Sequence, residues 1–135
     1  MRKLSRTALV KKLDRIFSRH IRNRYAVRGW CACVTCGKQV PVEDAHAGHF
    51  VRRQHMAVRW NEKNVHPQCV RCNTFLDGNE GEYARFILDT YGRATLDELL
   101  AAKNQVRKWT SAELLELIDH YSGVRPCETQ TLSGR

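Results

Sequence analysis

Two Cys-x-x-Cys pairs, Cys33/Cys36 and Cys69/Cys72, stand 32 residues apart in a chain of 135. The spacing inside each pair is that of thiolates closing a tetrahedron around one zinc ion, and two pairs together are far more specific than one. A redox pair of the thioredoxin kind would need a surrounding βαβ pattern, which this stretch lacks. Few large aliphatic residues lie between the pairs, so a structural zinc is expected to supply folding energy that so small a core cannot. No run of about 18 apolar residues is present, which excludes a membrane-spanning helix. The N-terminal stretch is too polar for a secretory signal, so the chain is expected in a reducing cytoplasm, where metal explains six cysteines better than disulfides do. One ion needs four ligands, which leaves Cys31 as a spare thiol, expected to be buried rather than coordinating.

The net charge of +9 is concentrated. Residues 1–28 carry ten Lys/Arg against the single acid Asp14, whereas residues 29–135 carry thirteen of each sign. A block of positive charge points to a polyanion, and here to nucleic acid. Within it Leu9, Leu13, Ile16, Phe17, Ile21 and Tyr25 recur at helical spacing, with Lys11, Lys12, Arg15, Arg19, Arg22 and Arg24 on most of the remaining surface. An amphipathic helix over residues 6–25 would be about 30 Å long, close to one turn of DNA. Its stripe is expected to dock on the body while its charged face meets phosphates. If it neutralises about five of them, log K should fall with log salt at a slope of roughly −4 to −5. Binding to an acidic membrane is the weaker reading of the same helix.

Four segments are expected: a basic helical arm (1–28), a zinc-bound core (29–92), helical bracing (93–122) and a polar tail (123–135), expected to be disordered from Arg125. In the core, Cys36-Gly37-Lys38 reads as a tight turn and Gln39–Val42 as an extended edge segment, given Pro41. His49–Arg52 and Val58–Trp60 read as two strands of a hairpin looped at Arg53–Ala57, and Val70–Asp77 as the start of a helix carrying Cys72 and Asn73. Tyr83, Phe86, Ile87 and Tyr91 mark a helix stopped by Gly92. Thr95-x-x-Glu98 and Thr110-x-x-Glu113 read as capping boxes opening helices over about 96–106 and 111–121. Leu96, Leu99, Leu100, Leu114, Leu115, Leu117 and Ile118 read as packing residues. The fold class is α+β. Residues 74–135 hold seven basic and ten acidic residues, a poor nucleic-acid surface and a better brace.

A zinc with four sulfurs has no open position, so any chemistry belongs to the polar residues it holds in place. A strand beginning at His49 and a helical turn carrying Asn73 can aim both side chains into one cleft. Phosphodiester hydrolysis needs a base for water, a task suited to histidine, and a cation at the phosphate, which an amide oxygen helps to hold. The series Cys-x-x-Cys, His, Asn, Cys-x-x-Cys-Asn resembles the HNH, or ββα-metal, endonucleases. More narrowly, A-G-H-F, R-W-N-E-K-N-V-H-P-Q-C-V-R-C-N and D-G-N resemble the NinG, or Rap, recombination proteins of lambda-like phages, closely over residues 30–92 and loosely beyond. Phage endonuclease VII is similar in its zinc pairs, histidine and post-cysteine asparagine.

The resemblance implies a zinc-stapled, treble-clef-like ββα-metal core and a metal-dependent endonuclease cutting Holliday junctions and D-loops in the host cytoplasm. It makes His49 the general base, Asn73 a ligand of a catalytic Mg²⁺ or Mn²⁺, and Asn64 the residue fixing the loop that holds the base. Many HNH enzymes carry an aspartate or histidine just before the base, where this chain has Gly48. His46 is the expected substitute, with Asp44 and Asp77 as alternatives. His66 is read as buttressing Asn64 or touching metal. Arg52, Arg53 and Arg59 are expected to hold phosphates beside the hairpin, although charge there also serves solubility. Symmetric cutting of a junction would favour a homodimer, and recombination proteins are further partners. Two rival readings are a zinc module that binds DNA or a recombination protein without cutting, and a zinc-bearing interaction subunit that does not bind DNA.

Overall fold

Ser5 opens the first helix, α1 (Arg6–Asn23), its hydroxyl accepting the Ala8 amide at 3.1 Å and satisfying one of the four unpaired N–H groups of the first turn. The computed structural model describes residues 3–123, so the expected polar tail lies, apart from Gly123, outside the described residues. The apolar stripe of α1 is buried at Leu9, Leu13, Ile16, Phe17 and Ile21. Tyr25, expected on that stripe, falls beyond the last turn and is 72 % exposed. The stripe packs on Trp60, Val65 and, from α4 (Ser111–Ser122), Leu114, Ile118 and Tyr121. The capping box at Thr110 forms, with both reciprocal bonds to Glu113 present, and Gly123 caps the other end. The chain's first and last described helices therefore lie side by side.

Between them the chain builds two small antiparallel sheets. β1 (Trp30–Ala32) pairs with β2 (Gln39–Pro41), and their connection carries Cys33 and Cys36, with Gly37 at φ +80° closing the turn. β3 (His46–His49) pairs with β4 (Val65–Gln68), bringing His46 opposite Gln68 and His49 opposite Val65. This corrects the hairpin read from sequence. Neither 50–52 nor 58–60 is a strand, and residues 50–64 form one long loop. The reason is a side chain. Asn64, fully buried, accepts the Val51 amide through Oδ1 at 2.8 Å and donates through Nδ2 to the carbonyls of Val51 and Val58. It thus supplies the bonds that a neighbouring strand would have made. At 58–60, local turn bonds from Val58 to His55 and from Arg59 to Met56 replace extended pairing.

After β4 the chain turns at once into a short helical segment, Arg71–Phe75, whose bonds widen to the i→i+5 pattern and which carries Cys72 and Asn73. Left-handed residues Asp77, Gly78 and Asn79 end it. α2 (Glu80–Tyr91) and α3 (Arg93–Ala101) follow, separated by Gly92 at φ +94°. Thr95 caps nothing: α3 begins two residues earlier, at the glycine turn, and ends at 101 before a single 3-10 turn over 102–104. Tyr83, Ile87 and Leu99 pack on Phe50, Val51 and Val58, clamping the long loop from the side opposite α1. Leu100 and Leu115, expected to pack, are exposed. Helices with small two-stranded sheets make this a mixed α+β fold, and among the described residues no helix is long and apolar enough to cross a membrane.

Candidate functional site

The turn after β1, the end of β4 and the helical segment behind it converge on one point. The sulfurs of Cys33, Cys36, Cys69 and Cys72 lie within 4.8 Å of one another, with Cys36 Sγ and Cys69 Sγ 3.7 Å apart. Zinc–sulfur bonds of about 2.3 Å in a tetrahedron place sulfurs about 3.8 Å apart, so the cluster is consistent with a zinc site. The sulfurs already feel one another's charge. Burial opposes ionisation of Cys33, yet the Thr35 hydroxyl and the amides of Cys69, Cys36 and Thr35 pull its thiol down to about 6. Cys36, although it accepts the Lys38 amide, is pushed up to about 12 by burial and by its three sulfur neighbours. A shared cation would take the place of the proton those sulfurs share and hold all four as thiolates. Cys31 is buried among Ala26, Val40 and Val42 and stands outside the four-sulfur cluster, as expected of a spare. Cys127 lies outside the described residues.

Beside this staple, β3 and the helical segment share a cleft. His49 and Asn73 both line a cavity of about 490 Å³, together with Arg52, Arg53, Asp77 and Glu80. A second cavity of about 320 Å³, walled by α1 through Asp14, Ser18 and Arg22, meets the first at His49, Asn73, Ala47 and Arg53. His49 Nε2 donates to the Arg59 carbonyl at 2.9 Å, so its other ring nitrogen, Nδ1, carries the free lone pair. Burial lowers the imidazole's pKa below its usual 6.5, against the raising effect of that bond and of Asp14, so His49 is neutral near pH 7. His46 Nδ1 accepts from Asn73 Nδ2 at 2.9 Å, which leaves the amide oxygen of Asn73 without a bond to His46. Sequence reasoning therefore placed His46, His49 and Asn73 in one site, and the fold brings them together. Asn64 stands behind the cleft as the anchor of the 50–64 loop rather than on its surface.

Gly48 has a physical reason. A Cβ there would come within 1.9 Å of the Gln68 side-chain oxygen and 2.9 Å of its Cγ. Gln68 is fully buried and held by bonds to the Thr35 hydroxyl and the Gly78 carbonyl, so it fills the space that a larger residue at 48 would need. Of the alternative acids, Asp77 lines the cleft but is paired with Arg52 at 2.8 Å, and Asp44 lines neither cavity.

His66 has a role other than metal binding. The Tyr91 hydroxyl donates to His66 Nε2, His66 Nδ1 donates to the Tyr83 hydroxyl, and Tyr83 donates to the Gly48 carbonyl at 2.6 Å. Through Tyr83 the chain of bonds reaches the residue before His49, and at 3.5 Å the Asn64 carbonyl. Burial, with the nearby Arg24 charge, brings the pKa of His66 down to about 3. The unfolded chain therefore binds a proton near pH 6.5 that the folded chain refuses until about pH 3. This contribution to stability is complete above pH 6.5 and declines as pH falls, by about 1.4 kcal/mol per unit. Urea denaturation of the wild type and His66→Gln between pH 7.5 and 5 is expected to show a steeper acid loss for the wild type. Parallel curves would mean that His66 is charged in the fold.

The expected phosphate contacts divide. Lys11, Arg15 and Arg19 are exposed on α1 and Lys12 is half-buried. Arg22 is spent on the carbonyls of Ser18 and Val42, Arg24 on Glu62 and the Val65 carbonyl, Arg59 on Asp14, and Arg52 on Asp77. Arg53 is exposed and borders both cavities beside His49 and Asn73. Sequence reasoning missed the importance of Asp14, Gln68 and Tyr83. Only Asp14 left a signal, as the one acid in a basic helix.

Fold and site define a small α+β protein in which a four-cysteine cluster suited to zinc pins a two-stranded hairpin to a helical turn and presents two histidines and an asparagine at a shared cleft. The model of the Bacteriophage Lambda NinG protein family matches residues 2–127, and the chain belongs to that family. The NinG protein of Escherichia phage lambda is 33% identical over 82 residues, covering 60% of this chain and 39% of that relative. That of Salmonella phage P22 is 30% identical over 82 residues with the same coverage, and that of Escherichia phage 933W is 32% identical, covering 40% of its length. The match thus spans about two fifths of these curated relatives. No solved structure matches the chain.

Proposed function

We propose that this protein is an HNH-type, ββα-metal DNA endonuclease that cuts branched recombination intermediates such as Holliday junctions and D-loops. The observation that carries the reading is the cleft. His49, with Nε2 tied to a backbone carbonyl and Nδ1 free, lies on the same cavity as Asn73 although 24 residues separate them in sequence. A neutral imidazole locked in one tautomer is a general base ready for water.

His49 Nδ1 takes the proton of a water attacking phosphorus in line. Arg53, bordering both halves of the cleft, offsets charge on the non-bridging oxygens, and the exposed cations of α1 hold the backbone of the same DNA. Asn73 and His46 are the residues that would hold a divalent ion, His46 Nδ1 exchanging its bond from Asn73 Nδ2 for the ion, whose chemistry would be to stabilise charge at phosphorus and on the departing 3′ oxygen. These are neutral donors, with no carboxylate at position 48, so the fit is to a weakly held, largely hydrated ion, and the imidazole favours Mn²⁺ over Mg²⁺. Products would carry 5′-phosphate and 3′-hydroxyl ends. The site of action would be the host cytoplasm, and a homodimer would deliver two such clefts to one junction.

Labelled duplex, flap, D-loop and four-way DNA incubated with Mg²⁺ or Mn²⁺ test the reading. Metal-dependent nicking, strongest on branched substrates and leaving 5′-phosphates, is expected. Salt-sensitive binding without any cleavage would replace the enzyme by a zinc-stabilised DNA-binding module, which the missing carboxylate at Gly48 favours. Absence of binding would leave an interaction subunit.

A further inference from the structure

We infer that Asp14, on the basic helix, is a positioning residue for the base: it fixes Arg59 so that the Arg59 carbonyl holds the His49 imidazole in register with the cleft. The inference rests on the endonuclease reading above. Asp14 reaches across from α1 to the 50–64 loop, where its Oδ1 accepts Arg59 Nε at 3.1 Å and Trp60 Nε1 at 2.9 Å, and its Oδ2 accepts Arg59 Nη2 at 2.5 Å. The fork engages both carboxylate oxygens, the geometry in which an Arg–carboxylate pair fixes direction as well as distance. From the same residue the main-chain oxygen accepts His49 Nε2. One residue thus joins the helix's only acid to the imidazole, by side chain on one side and by backbone on the other.

The loop needs such a tie. It runs fifteen residues without a strand, and its inner face is held by Asn64. Its outer face meets α1 through Asp14 at Arg59 and Trp60, and at its far end Glu62 is held by His20, Arg24 and Tyr121; Trp109, on the approach to α4, donates to the Met56 carbonyl at 3.0 Å and packs edge-on against Trp60. Asp14 is the tie next to the base. It also lines the α1 side of the cleft and neutralises the Arg59 guanidinium, whose other contacts, to the Arg53 carbonyl, the Met56 sulfur and the Trp60 ring, are neutral and would leave its charge uncompensated. Loss of the acid therefore has two opposite effects. The imidazole loses its fixed register, while the cleft gains one uncompensated positive charge.

That opposition is the test. Wild type, Asp14→Ala, Asp14→Asn and Arg59→Lys would be compared on four-way and nicked duplex DNA with Mn²⁺, His49→Ala serving as the inactive control. For Asp14→Ala, kcat is expected to fall about ten- to a hundredfold, the range for a misplaced reacting group. DNA affinity should rise, with a salt dependence steeper by about 0.9 from one added phosphate contact. Asp14→Asn keeps an acceptor for Trp60 and guards against simple unfolding. It should share the affinity gain and lose less turnover. Arg59→Lys breaks the fork while keeping the charge, and should lose turnover. A readout independent of cleavage is the ¹⁵N shift of the two ring nitrogens of His49, which should report a single Nε2-protonated form in the wild type and an averaged pair in Asp14→Ala. If turnover, affinity and thermal stability all fall together, or if the ring shifts do not move, Asp14 merely docks the helix and the inference fails. If the wild type itself does not cut, the endonuclease reading fails first, while the ring shifts still report on Asp14.

Discussion

Chelating the metal from the four-cysteine cluster, or replacing Cys72 by serine, is expected to unfold the centre of the protein. The cluster that surrounds the sulfurs contains, besides cysteines, only Ala26, Val40, Val42 and Ala45. Burying a valine fully contributes about 1.5–3 kcal/mol, so two of them cannot order two hairpins and a helical turn against about 1–2 kcal/mol of backbone entropy per residue. A structural zinc contributes about 10–16 kcal/mol of apparent binding free energy, which is of the order of a whole domain's stability. Cys72 is fully buried and its sulfur accepts from Asn79 Nδ2 at 3.5 Å, so its loss disturbs the segment that carries Asn73 as well. The expected readout is one bound zinc per chain by mass spectrometry under native conditions, loss of near-ultraviolet circular dichroism with chelator, and recovery on adding zinc back. Cys31→Ala supplies the control, since Cys31 lies outside the sulfur cluster and should leave the stoichiometry unchanged. Unaltered melting after complete chelation would show that the sulfurs hold no structural ion.

The part of the site legible in the sequence was the part written in short, chemically distinctive spacings. Cys-x-x-Cys twice, a histidine after a glycine and an asparagine directly after the last cysteine fix which residues meet, because four cysteines drawn to one point leave the chain little freedom over the intervening residues. The helix of residues 6–23 was legible for a different reason: a 3.6-residue apolar period survives in any context. Of the strands, Gln39–Pro41 was legible as the extended edge segment at 39–42, whereas the pair beside the cleft was not. β4, Val65–Gln68, is buried at every residue and contains Pro67, so it shows neither alternation nor the usual strand composition. Phe50–Val51 and Val58–Trp60 look like strands by composition, yet one buried amide, Asn64, takes the bonds that would have paired Val51. Thr95 carried the pattern of a cap, but Gly92 turned the chain three residues earlier. The Asp14–Arg59–His49 connection lay beyond sequence reasoning altogether, since it joins residues 45 and 10 positions apart through a side-chain fork and a carbonyl.

For His49→Ala, cleavage of branched DNA is expected to fall by about 10²–10⁴-fold, the range for a positioned general base, while affinity for the same DNA stays within a factor of about two. The separation follows from charge. His49 is neutral at pH 7 because burial holds its pKa below 6.5, so its removal takes no phosphate contact away, whereas Arg53, Lys11 and Arg15 remain exposed. The hydrogen-bonding cost is the bond from Nε2 to the Arg59 carbonyl, about 1 kcal/mol, small beside a domain's stability of about 5–15 kcal/mol. The pH profile gives the assignment its sign. A base works only while unprotonated, and a lowered pKa moves protonation to more acidic solution. Wild-type turnover should therefore stay level through neutrality and decline only below pH 6.5, tracking protonation of one group. His49→Ala should lose that acid limb along with most of its rate, and added imidazole should restore part of the turnover by entering the space left behind. A variant that still cut at the wild-type rate would remove His49 from the chemistry. Retained cleavage with an unshifted acid limb would point to another base in the same cleft, and His46, bonded to Asn73 at 2.9 Å, is the first to replace next.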